Sequence, residues 1–200
     1  MLTSKPTCGF SLIELLIGIA LMGILLAVGL PAFTSYAQNA RVLASAQGLQ
    51  NALQAARAEA VRINTNVEMV LTDSLDPDTT SLDVSGKNIL IRFKPSGATN
   101  YTLVEARDGR EGSGQTFGST PKVKVTGTVS KVTFSSLSNT DLTSKAVFLF
   151  TSQSDGAACA SASGPIRCLN VEITPGGQSR LCDPQVAAGD TTDSRACSAP

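Results

Sequence analysis

The chain has 200 residues, sixteen of them basic and sixteen acidic, so its balance of charge argues against a general polyanion binder while leaving room for a local basic patch. Histidine and tryptophan are absent, which removes the commonest general base and the commonest zinc ligand together. Once a targeting segment is set aside, the length allows one domain of ordinary size with a modest core.

The first element is the most informative. Gly9-Phe10-Ser11-Leu12-Ile13-Glu14 opens an apolar run that reaches Leu30, with Glu14 its only charge, and Pro31 closes it. The run has about the ~20 residues that a membrane-spanning helix needs. A secretory signal peptide would fit Lys5 and the small residues of Ala27-Val28-Gly29, and a plain signal anchor would fit the length. Neither accounts for Glu14, because a carboxylate inside a membrane segment costs about 2.5–3.5 kcal/mol on insertion scales and marks a functional position with a cationic partner.

This pattern resembles the type IV prepilin signal, a short basic leader ending in Gly. The resemblance implies that a prepilin peptidase cuts between Gly9 and Phe10 and that the new amino-terminal Phe10 is methylated. It also implies that Glu14 recruits the subunit by pairing with the terminal amine of a neighbour, and that Pro31 is the helix-bending proline of assembly. Two charges too costly singly in lipid become tolerable as a pair. Helices of related pilins partly unwind during assembly, and 23–31 is the candidate segment here.

Beyond Pro31 the sequence stays helical. Val42, Ala46, Leu49, Leu53, Ala56, Ala60 and Ile63 recur at spacings of four and three and draw one apolar stripe. Because many members are Ala, a sheet can approach closely. A helix from Phe10 to about Asn64 would be roughly 80 Å long.

After Asn64 the pattern becomes β. Strand-like runs occur at 67–71, 89–93, 101–104, 123–125, 129–134, 147–150 and 169–173, separated by Gly-, Ser-, Asp- and Pro-rich stretches. Gly109 to Thr116 nearly spells a phosphate-binding loop, but Gln115 stands where Lys is needed and no strand-loop-helix context surrounds it. Asp73, Asp76, Asp78 and Asp83 lack the spacing of a calcium loop. With no His to activate a Ser or Thr, no catalytic residues, cofactor or metal are assigned, and the chain reads as a non-enzyme.

Cys8 leaves with the leader, and Cys159, Cys168, Cys182 and Cys197 remain. Four cysteines in a translocated domain read as two disulfides, with zinc the rival. Of the three connectivities, Cys159–Cys168 with Cys182–Cys197 is favoured because each closes a short local loop. The segments Ile166 to Val171 and Thr174 to Pro184, with Ala56 to Arg62 on the helix, resemble the GspH/FimT family in its FimT/FimU minor-pilin branch.

That resemblance implies an α+β, pilin-like fold: a long amino-terminal helix packed on antiparallel sheets in an α/β-roll-like layout. The expected organisation is a leader at 1–9, a transmembrane and filament-core helix at 10–33 and an amphipathic half at 34–64. A β-rich head follows at 65–182, then an irregular tail at 183–200 pinned by its disulfide. The expected role is a minor pilin that initiates or caps a type IV pilus. Alternatives are a minor pseudopilin of type II secretion and a DNA-uptake pilin. Expected partners are major and minor pilins, the prepilin peptidase and the inner membrane, with the head in the periplasm before the subunit joins the surface pilus. DNA is a further candidate, since some family members bind it through Gly-Arg-x-Arg. Here Gly177-Gln178-Ser179-Arg180 keeps only the second Arg, and Arg167, Arg180 and Arg195 are the candidate contacts.

Overall fold

The computed structural model describes residues 11–108, 122–152 and 166–198. Helix α1 runs Leu12–Ile63, and the strands are β1 (Val67–Thr72), β2 (Asn88–Phe93), β3 (Thr102–Asp108), β4 (Val123–Gly127), β5 (Lys131–Phe134), β6 (Ala146–Ser152), β7 (Leu169–Ile173) and β8 (Ser179–Cys182). The chain falls into two compact units, Met1–Ala37 and Gln38–Pro200. The backbone of 23–31 is helical, Pro31 included.

Local chemistry sets both helix ends. Ser11 precedes the first turn and its carbonyl accepts the Leu15 N–H at 3.2 Å, while Glu14 places an acidic group in that turn, where the helix dipole favours it. At the other end Asn64 takes φ 50°. The Asn64 N–H then reaches the Val61 carbonyl and the Thr65 N–H reaches Ala60. That paired closure ends helices in a left-handed residue, a conformation Asn tolerates.

Two four-stranded antiparallel sheets complete the second unit, ordered β3-β2-β1-β5 and β4-β6-β7-β8. The predicted stripe is the seam between them: Val42, Ala46, Leu49, Leu53, Ala56 and Ala60 are buried, Ala52 joins them, and Ile63 is half-buried. Val67, Met69 and Leu71 of β1 pack in the same core as Phe148 and Phe150 of β6 and Val171 and Ile173 of β7. One helix face thus serves both sheets.

The outer face of the first sheet is closed by the connection between β1 and β2. Arg92 is only 4% exposed. Its guanidinium donates to the carbonyls of Pro77 at 2.6 Å and Thr79 at 2.8 Å, pairs with Glu68 at 3.2 Å, and lies 4.0 Å above the Tyr101 ring. The aspartates of that connection are spent on local structure: Asp73 accepts the Lys87 N–H, Asp76 that of Asp78, Asp78 that of Tyr101 and Asp83 that of Ser85.

The β7–β8 turn is seated on the helix, where Arg57 donates to the Gly177 carbonyl at 3.3 Å and Gln50 to that of Ser179 at 3.5 Å. Gly177 has φ 76°, and a Cβ there would fall 2.4 Å from the Ser138 carbonyl oxygen. Gly177→Ala is therefore expected to destabilise the head by about 1–3 kcal/mol, from a strained backbone and a displaced loop. A lowered denaturant midpoint, absent in Gly176→Ala, is the check.

Candidate functional site

Two regions carry candidate residues. In the first unit, α1 is apolar on every side. Its large side chains from Leu12 to Leu26 are 51–77% exposed. A helix apolar all round requires cover. At about 1.5–3 kcal/mol per fully buried aliphatic side chain, covering them is worth on the order of 10–20 kcal/mol, comparable to the whole stability of a domain. Among the described residues, no helix is long and apolar enough to cross a membrane. The segment 11–27, whose side chains are described, is shorter than the apolar run, which extends past it at both ends. Glu14 lies exposed in the first turn of this segment. Gly9 and Phe10 lie outside the described residues, as does the side chain of Pro31.

The second region is the carboxy-terminal clasp. Cys182 and Cys197 are joined, closing a span of 15 residues. Cys168 is also disulfide-bonded; Cys159, its expected partner, lies outside the described residues, and so does the loop from Gly109 to Thr116. The tail is held by more than its disulfide. The Asp183 N–H donates to the Arg195 carbonyl at 2.8 Å, the Gly189 N–H to that of Cys197 at 2.8 Å, and Asp183 bridges Ala196 in parallel. Arg180 also donates to the Ala196 carbonyl.

At the centre of the clasp sits Glu172, whose side chain is 3% exposed. Its carboxylate accepts the Ser198 N–H at 3.0 Å and pairs with Lys145 at 3.1 Å and Arg180 at 3.2 Å. Burial is the largest single influence on Glu172 and acts to raise its pKa. The Ser198 backbone and hydroxyl and the Lys145 ammonium together outweigh it, leaving the group below its ordinary value. Glu172, Cys182 and Cys197 stand close enough to suggest a metal, yet both sulfurs are tied in the disulfide and the carboxylate is fully engaged. Composition gave no sign of Glu172 or Lys145. The available signal was the cysteine pair flanking the tail, which draws that tail back over β7.

The three candidate DNA contacts are already opposed by carboxylates. Arg180 faces Glu172, Arg167 lies 3.9 Å from Asp183, and Arg195 pairs with Asp193 at 2.7 Å. The Arg195 guanidinium, followed by its backbone N–H, holds Asp193 down at about 2. Gln178 is exposed just ahead of β8, two positions before Arg180.

Residues 4–30 match the prokaryotic N-terminal methylation motif, a stretch that includes Gly9, Phe10 and Glu14. No curated protein sequence matches the chain. Among solved structures, the type IV minor pilin FimU of Pseudomonas aeruginosa strain PAO1 superposes with a TM-score of 0.51 at 16% identity, covering 78% of this chain and 97% of FimU. A second crystal form of FimU gives 0.48 at 15% identity, over 74% and 97% of the two chains. The minor pseudopilin EpsH of the Vibrio cholerae type 2 secretion system gives 0.48 at 10% identity, over 72% and 98%. The methylation motif overlaps the start of the apolar helix, and further along the same helix seams two antiparallel sheets in the head. The fold of the head is pilin-like, as in FimU.

The clasp generates a pH dependence. With Glu172 held below its ordinary 4.5 in the folded state, its contribution is complete above that value and is lost as pH falls through the folded pKa. Glu172→Gln should cost about 1–3 kcal/mol at pH 7 and progressively less as pH falls below 4.5. Denaturant midpoints of both proteins across that range would show the curves converging in acid; parallel curves would contradict this role.

Proposed function

We propose that the chain is a minor pilin, a low-abundance subunit that initiates or caps a type IV pilus. The observation that carries this reading is the uncovered helix, apolar on all sides with a single carboxylate in its first turn, lying within a methylation motif. Such a helix needs lipid before assembly and neighbouring helices afterwards. The likeness of the head to FimU, a type IV minor pilin, supports the same role.

In this reading the prepilin peptidase removes 1–9 by cutting between Gly9 and Phe10, and Phe10 is then methylated. The subunit waits in the inner membrane with its head in the periplasm. Glu14 pairs with the terminal amine of a neighbour as the helix leaves lipid for the filament, and Pro31 softens the helix for that passage. The oxidised Cys182–Cys197 pair suits an oxidising compartment. The role is structural, with other pilins as partners.

Deletion of the gene should collapse the yield of pili sheared from the cell surface, and the wild-type gene should restore it. Glu14→Ala should insert in the membrane at least as well as wild type, since it removes a cost of about 2.5–3.5 kcal/mol, yet fail to restore pili. Replacing Gly9 by a bulky residue should leave the leader attached, read as an unshifted mass. An unchanged pilus yield on deletion would favour a type II secretion pseudopilin, to be tested by secretion. Salt-sensitive DNA binding by the purified chain would favour an uptake role.

A further inference from the structure

Chain length alone does not choose the partner of Cys182. Cys197 lies 15 residues after it, and Cys168 lies 14 residues before it. Loop-closure probability falls roughly as the three-halves power of length, so the two choices differ by only about a tenth on that ground. Cys168 also immediately precedes β7, on the same alternation as Asn170 and Glu172. Pairing of β7 with β8 sets Asn170 opposite Cys182, which brings Cys168 into the neighbourhood of Cys182 as soon as the hairpin forms.

We infer that Glu172 is a positioning residue that selects Cys197 as the partner of Cys182. The β7–β8 register places Glu172 opposite Arg180, and with Lys145 this holds a carboxylate in a fixed place beside Cys182. The remaining contact of that carboxylate is the Ser198 N–H, one residue beyond Cys197. Lys145 grips the same residue from its other side, donating to the Ser198 carbonyl at 2.9 Å. Asn170 completes the seat by donating to the Cys197 Sγ at 3.7 Å. A carboxylate oxygen of Glu172 and both sulfurs lie within 4.8 Å of one another.

These contacts need no disulfide to form, so the tail can dock while both sulfurs are still thiols. Oxidation then removes two protons and two electrons from Cys182 and Cys197 and forms the S–S bond. The electrons pass to an external disulfide such as oxidised glutathione, which leaves as two thiols. Glu172 takes no part in that transfer; it fixes which thiols meet.

The test uses the full chain with Cys8→Ser, reduced and refolded in detergent with a glutathione redox buffer. Alkylation quenches the reaction, and peptide mass spectrometry reads the pairings. The parent should favour Cys182–Cys197 over Cys168–Cys182 by about tenfold, the scale of one charge-assisted hydrogen bond. In guanidinium the two pairings should come out near equal. Glu172→Gln should bring the native-buffer ratio close to that denatured value. Should Glu172→Gln fail to regain its β circular dichroism, Ser198→Pro decides, because it removes the N–H that Glu172 accepts while leaving β7, β8, Lys145 and Arg180 intact. A fall of about threefold or more is expected there. A parent-like ratio in a folded Glu172→Gln chain, or in Ser198→Pro where that variant must decide, would overturn the inference.

Discussion

The head depends on burying one narrow helix face against two sheets at once. Ala46, Ala52, Ala56 and Ala60 put only small side chains between helix and strands, and Leu49 and Leu53 are buried beside them. Larger residues at the alanine positions would push the sheets apart, since overpacking in a dense core costs about 1–3 kcal/mol. With the seam fixed, the inner faces of β1, β6 and β7 have a common surface to meet, and each sheet acquires an outer face that needs its own solution.

The two outer faces are solved in the same way, by folding a connection back and anchoring it on a buried charge. Arg92 holds the β1–β2 connection through two carbonyls, Glu68 and Tyr101. Glu172 holds the tail through Ser198 while Lys145 and Arg180 balance it. Each charge would be costly alone and is tolerable because hydrogen bonds and an opposite charge accompany it. The same devices protect strand edges, which otherwise invite pairing with other chains. The β5 edge meets Asn139 and Asp141, and the β8 edge meets Gln50 at one end and Arg195 just past the other.

Much of this was legible in the sequence because it rests on periodicity. The helix stripe and most strands follow from the spacing of apolar residues, and Asn64 lies where the pattern changes from 3.6 to 2. The boundaries of β3 and β6 extend past their expected limits because charged and small residues continue a ladder once a neighbour supplies hydrogen bonds. β8 was not legible: Ser179 and Arg180 have no strand preference, and the strand exists because the Gly177 turn returns the chain along β7. Glu172 and Arg92 were hidden for a related reason. Alternation with Val171 and Ile173, or with Ile91 and Phe93, assigns them to the outer face and hence to solvent. Only long-range covering by tail or connection makes those faces interior, and no local pattern encodes that.

The clasp also bears on what its arginines are free to bind. A phosphate contact gains affinity by releasing counterions from nucleic acid, but an arginine already matched to a carboxylate must first give up that partner. For Arg180 the partner is a buried Glu172 that also anchors the tail, so drawing Arg180 away would weaken the seat of Ser198. Arg195 is held by Asp193 through both side chain and backbone. Arg167 has the weakest opposition, at 3.9 Å from Asp183, and its own N–H is taken by Asn39 of the helix. With Gln178 uncharged beside Arg180, the tail presents cations whose first task is to close the chain on itself, and the weight of the functional reading falls back on the uncovered helix.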